Sequence, residues 1–97
     1  MHVVAEEPWD WLLFEEDGHL WLDVLVEHGA VSFTVTAELD SAHVAAFNHD
    51  GPLALTSQAA SMRSQALRRE WRIPPLPADW SEHALVAVRT WRQDHQV

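Results

Sequence analysis

WDWLLFEEDGHLWLDVLVEHGAVSFTVTAEL, residues 9–39, decides the fold, because two tight turns cut it into three alternating runs. Asp17-Gly18 and His28-Gly29 each end in the glycine that two-residue hairpin loops favour for its positive φ. Strands are predicted at about 9–16, 19–27 and 30–39. A loop at His28-Gly29 sets Val26 opposite Val31, Val24 opposite Phe33, Leu22 opposite Val35 and Leu20 opposite Ala37, all apolar pairs. The other face then pairs Leu25 with Ser32, Asp23 with Thr34, Trp21 with Thr36 and His19 with Glu38. A slip of one residue would destroy this sorting, since successive side chains point to opposite faces. The Asp17-Gly18 turn likewise pairs Leu13 with Leu22, Trp11 with Val24 and Trp9 with Val26 on the core face. Phe14 against Trp21 and Leu12 against Asp23 fall outside.

Downstream the period changes to that of helices. Leu39-Asp40-Ser41 supplies a capping side chain for a helix over about 41–50, with Val44 and Phe47 at helical spacing. Asp50-Gly51-Pro52 stops it, and Pro52 suits the first turn of a helix over about 53–71. Leu55, Ala59, Met62, Ala66 and Leu67 form the inward stripe of that helix. Arg68, Arg69 and Arg72 are expected at its C-terminal turn, where cations complement the dipole. Pro74-Pro75-Leu76-Pro77 reads as extended chain. A last helix over about 81–93, capped by Asp79 or Ser81, turns Leu85, Val88 and Trp91 inward. The expected architecture is a single α+β domain, residues 1–97: a three-stranded antiparallel meander followed by two to three helices packed on one face.

Charge divides the chain. Every arginine lies at or after Arg63, so the first 62 residues carry −11 and the remainder +2, for a net −9 with no lysine. A surface of one sign attracts basic partners and keeps nucleic acid away. The absence of cysteine excludes disulfides, thiolate nucleophiles and cysteine-based zinc sites. No run approaches the ~18 apolar residues of a membrane span. The opening MHVVAEEP lacks the positive region of a secretory signal, which predicts a cytoplasmic protein.

No catalytic constellation emerges. The seven histidines include no His-Glu-x-x-His spacing; His43 and His49 fall on different sides of a helix, and His19 with Glu38 reads as a surface pair. No serine sits in a Gly-x-Ser-x-Gly setting, and the three glycines are all assigned to turns, leaving no phosphate loop. Glu15, Glu16 and Asp17 rim a hairpin tip in open water, without the burial or the close neighbour that a catalytic carboxylate needs. The expectation is a non-enzyme without metal or cofactor.

The outer sheet face is the anomaly. Leu12, Phe14, Trp21 and Leu25 cluster where a one-layer sheet should be solvated, with Glu15, Glu16, Asp17 and Asp23 around them. Exposed aromatics ringed by acids suit a basic protein partner. The competing arrangement folds the terminal helix or residues 1–8 over that face, and homodimerisation is the next alternative.

GHLWLDVL at 18–25, the Gly29 turn, the alternating strand and Leu39-Asp40-Ser41 opening a helix together resemble small bacterial immunity proteins over residues 9–50. The resemblance implies an antitoxin-like inhibitor that binds a toxin or nuclease and blocks its active site, and it assigns no individual residue a role. A phage-encoded anti-defence inhibitor of the anti-CRISPR kind, whose acids imitate nucleic-acid charge against a nucleic-acid-binding complex, shares the composition. A homo-oligomeric structural or accessory module is the third class.

Overall fold

A computed structural model describes residues 1–95 and shows an α+β fold built on a four-stranded antiparallel sheet of order β1-β2-β3-β4. The strands are β1 (His2–Glu7), β2 (Trp11–Glu16), β3 (His19–His28) and β4 (Val31–Glu38). Helix α1 (Ser41–Asp50), a 3₁₀ turn (Gly51–Leu55), α2 (Thr56–Leu67) and α3 (Trp80–Asp94) follow.

The β2–β3 register matches the sequence expectation from Trp11↔Val24 to Phe14↔Trp21. Asp17 and Gly18 both have positive φ, as the mirror-image turn requires. The β3–β4 register differs from that expected by two residues: Val24 faces Val35, Val26 faces Phe33 and His28 faces Val31. The loop is therefore Gly29-Ala30, with the glycine first and at φ +63°, the position a type II′ turn gives it. An offset of two leaves every side chain on its expected face, so face sorting could not detect it. His19 Nδ1 still reaches Glu38 Oε2 at 2.7 Å, diagonally along the ladder, although the backbone partner of Glu38 is Trp21.

Strand β1 was not expected. Its pairing passes from Val3↔Phe14 to Ala5↔Leu13, so Val4 is an extra residue and the strand is bulged. The bulge sends Val3 to one core and Ala5 to the other. It also erases the alternation by which a strand is recognised.

Core residues lie on both sheet faces, which corrects the expectation that the helices pack on one. On the inner face Trp11, Leu13, Leu22, Val24, Val26 and Val35 pack with Leu55, Ala59 and Met62 of the 3₁₀ turn and α2. Val44 and Phe47 of α1 pack against the same cluster. On the outer face Val3, Phe14, Trp21 and Ala87 form a second cluster, joined by Trp80, Ala84, Val88 and Trp91 of α3.

Asp40 caps α1, accepting the His43 N–H at 2.9 Å. Gly51 ends it at φ 74°, ψ −158°, a region open to essentially no other residue. Helix α2 is shorter than expected and stops at Leu67. The Glu70 N–H donates to the Gln65 carbonyl (2.8 Å) and the Arg69 N–H to that of Ala66 (3.1 Å), the two bonds of a Schellman stop. Arg69 holds its left-handed position at φ +60°. Arg68 is thus the cap, and Arg69 and Arg72 lie beyond the helix. Trp71 packs on the inner cluster and Trp80 on the outer one, so the intervening extended chain carries the fold from one sheet face to the other. In α3 the inward residues are Ala84, Ala87, Val88 and Trp91, whereas Leu85, expected inward, is exposed.

Candidate functional site

Helix α3 is held over the β1–β2 half of the outer face by polar contacts as well as packing. Trp91 Nε1 donates to Glu6 Oε1 at 2.8 Å, Arg92 lies 3.8 Å from Glu6, and His83 lies 3.7 Å from Glu16. Beyond Trp21, which Trp80 covers, the β3–β4 part of that face stays open. A cleft of about 780 Å³ runs there, floored by Leu12, Asp23, Thr34 and Thr36. Trp80, Ala84, Leu85 and Val88 of α3 form one wall. Trp71, Ile73, Pro74 and Leu76 of the interhelical chain form another, with Phe33 and Arg69 at its margin. Ile73, Leu76, Leu85 and Phe33 all leave apolar surface in water.

Asp23 is the acid in this cleft. Thr36 Oγ1 donates to its Oδ1 at 2.6 Å. Burial pushes the carboxyl above its usual range, and the hydroxyls of Thr36 and Thr34 pull it part of the way back. An apolar hollow with a carboxylate on its floor is built to take apolar groups together with a cation or a hydrogen-bond donor.

The floor continues past the cleft. A smaller hollow of about 180 Å³ shares Leu12, Asp23 and Thr34 and extends to Leu25, Arg92 and Trp9. Trp9 belongs to the turn between β1 and β2, where the Asp10 N–H donates to the Glu7 carbonyl at 3.0 Å. Pro8 and Trp9 are the central residues. Trp9 takes the positive φ, +64°, that a type II turn demands of its third residue. The residue is 91% exposed. This corrects the expectation that Trp9 lies on the core face opposite Val26.

The predicted partner-binding residues divide by position. Leu12, Phe14 and Asp23 line the cleft, and Leu25 lies farther along beside Trp9. Phe14 (1% exposed) and Trp21 (7%) are nevertheless core residues that meet Trp80 edge-on and at a tilt, with ring centroids 5.5 and 5.3 Å away. Neither presents the open aromatic surface expected of it, because α3 covers both. Glu15, Glu16 and Asp17 sit at the opposite end of the sheet: Glu15 is 3.6 Å from His2, Glu16 is beside His83, and Asp17 is exposed. Sequence reasoning missed Trp9, Phe33 and the 71–76 wall; Glu7-Pro8-Trp9-Asp10 carries the first signal, a proline turn with a bulky residue in the glycine position.

His19, His43 and His49 each lie against one carboxylate, of Glu38, Asp40 and Asp50. Among the described residues no three histidine, aspartate or glutamate side chains converge to hold a metal ion. Among the described residues no helix is long and apolar enough to cross a membrane. No family model matches the chain, and neither a curated protein nor a solved structure is significantly similar to it.

Proposed function

We propose that this chain is a protein-binding module, not an enzyme, and that its half-covered outer sheet face takes an apolar segment of a basic partner. The observation that carries this reading is the open β3–β4 cleft, apolar on its walls with Asp23 on its floor. The net charge of −9 supports a basic partner. A stoichiometric inhibitor of a toxin or nuclease, as in immunity proteins and antitoxins, is the role these features fit best. An anti-defence inhibitor would rely on the acids alone, without the cleft.

The test begins with the partner recovered by affinity capture and proceeds to variants. Leu85→Glu and Ile73→Glu alter exposed cleft residues, so folding should change by no more than about 0.5 kcal/mol. Partner affinity should drop by about tenfold or more in each. Undiminished binding by both variants would remove the cleft from the interface. Capture of a toxin encoded beside this gene would favour immunity, and capture of a phage-target complex the anti-defence role. A second copy is the competing occupant, favoured by the exposed, uncharged half of edge strand β4 at Val31–Thr34. A concentration-dependent dimer that these substitutions abolish would establish it.

A further inference from the structure

The Glu7-Pro8-Trp9-Asp10 turn has no need of a tryptophan. A glycine would satisfy a positive φ without strain, whereas a bulky residue at +64° is an outlier of the kind that clusters at functional sites. Nor does the indole contribute to either core, being almost wholly in water. What it does is wall a pocket of about 530 Å³ with Glu7, Pro8, Leu25, Glu27 and the Asp10–Arg63 pair. Arg63 is already engaged there, ion-paired to Asp10 and donating through Nε to the Leu25 carbonyl at 3.0 Å. Glu7 and Glu27 are exposed and make no ion pair among the described residues.

We infer that this pocket receives an arginine side chain of the protein partner, with its guanidinium stacked on the Trp9 indole and its N–H groups reaching Glu7 and Glu27. A planar, weakly hydrated cation suits an aromatic face better than a compact ammonium does, and two carboxylates match its fork of donors. Charge complementarity identifies the occupant, since the pocket is lined by three carboxylates, Glu7, Asp10 and Glu27, against the single cation Arg63, which Asp10 already holds. The inference rests on the proposal that the partner is a basic protein. It adds an anchor at the far end of the floor that runs through Leu12, Asp23 and Thr34.

The test is a titration of the ¹⁵N-labelled full chain with the peptide acetyl-Arg-Ala-Arg-Ala-Arg-amide, followed by its lysine and glutamate counterparts. The indole N–H resonance of Trp9, assigned by its loss in Trp9→Gly, should move saturably, with the arginine peptide binding about threefold more tightly than the lysine one. Trp9→Gly should keep or raise the melting temperature, which checks folding, while weakening the peptide by about tenfold. Glu7→Gln with Glu27→Gln should weaken it similarly, and Asp17→Asn at the opposite hairpin should leave it unchanged. An unmoved Trp9 resonance, undiminished binding by Trp9→Gly, or an equal loss in Asp17→Asn would overturn the proposal. The Trp80 resonance separates the two readings. Movement there without movement at Trp9 sinks the arginine anchor and leaves the cleft standing; silence at both also sinks the anchor, and the cleft is then judged separately by Leu85→Glu and Ile73→Glu.

Discussion

At Trp21 the indole lies on β3 opposite Phe14 of β2 and beneath Trp80, whose ring centroid is 5.3 Å away. Truncation to alanine should cost about 3–5 kcal/mol, as for other large buried aromatics. Trp11→Ala should cost a similar amount, and urea unfolding of both variants checks it; a Trp21 loss below about 1 kcal/mol would mean α3 does not cover the outer face. Asp23 makes a different prediction. Its folded pKa is raised by burial above the ordinary 3.8, so the native state holds the proton more tightly than the unfolded one. Its contribution to stability is then fully present below the unfolded pKa and is lost as pH rises through the folded value. Asp23→Asn keeps an acceptor for Thr36 and removes the buried charge. The variant should be more stable than the parent at pH 7, and the difference should vanish near pH 3, where both side chains are neutral. An unchanged difference between the two pH values, read by urea unfolding, would contradict the burial of this carboxylate.

Among the elements, the β3–β4 hairpin shows how a turn chooses a register. His28-Gly29 and Gly29-Ala30 are both two-residue loops containing glycine, and both leave the apolar row facing the inner core. The structure selects the second, with Gly29 at φ +63°. Gly29→Ala should therefore cost about 1–2 kcal/mol, although a Cβ there would meet no neighbouring atom within 4 Å. Thermal unfolding measures the cost, and a neutral substitution would place the glycine elsewhere in the loop. Helix α3 makes the larger decision. Ala84 and Ala87 face the sheet on a helix whose large residues at Leu85 and Val86 are exposed. Small inward residues let the helix sit close over Phe14 and Trp21, and its docking there leaves the part of the outer face around Asp23, Thr34 and Thr36 open to the cleft.

Across the whole molecule the charge split is partly spent internally. Arg63 pairs with Asp10 and Arg92 with Glu6, so arginines of the second half neutralise acids of the first. The net −9 survives this pairing. Association with a basic partner should slow by about tenfold as salt rises from about 50 to 500 mM, because the field that steers the encounter is screened. Stopped-flow mixing at several salt concentrations tests it, and an on-rate indifferent to salt would remove electrostatics from recognition.

The faces of β2, β3 and β4, the capped start of α1 and the acidic field were legible in the chain itself, because each depends on neighbours a few residues apart or on composition. The β3–β4 register was legible only to within two residues, since a period of two cannot distinguish offsets of two. Strand β1 was hidden by its bulge at Val4, which removes the alternation that marks a strand. The candidate site was half legible: Leu12, Asp23 and Leu25 stand on the expected face, whereas Phe14 and Trp21 on that same face are buried. Only tertiary structure decided between them. Alternation assigns a residue to a side of the sheet, and where a helix from some seventy residues away lands on that side depends on packing between distant parts of the chain.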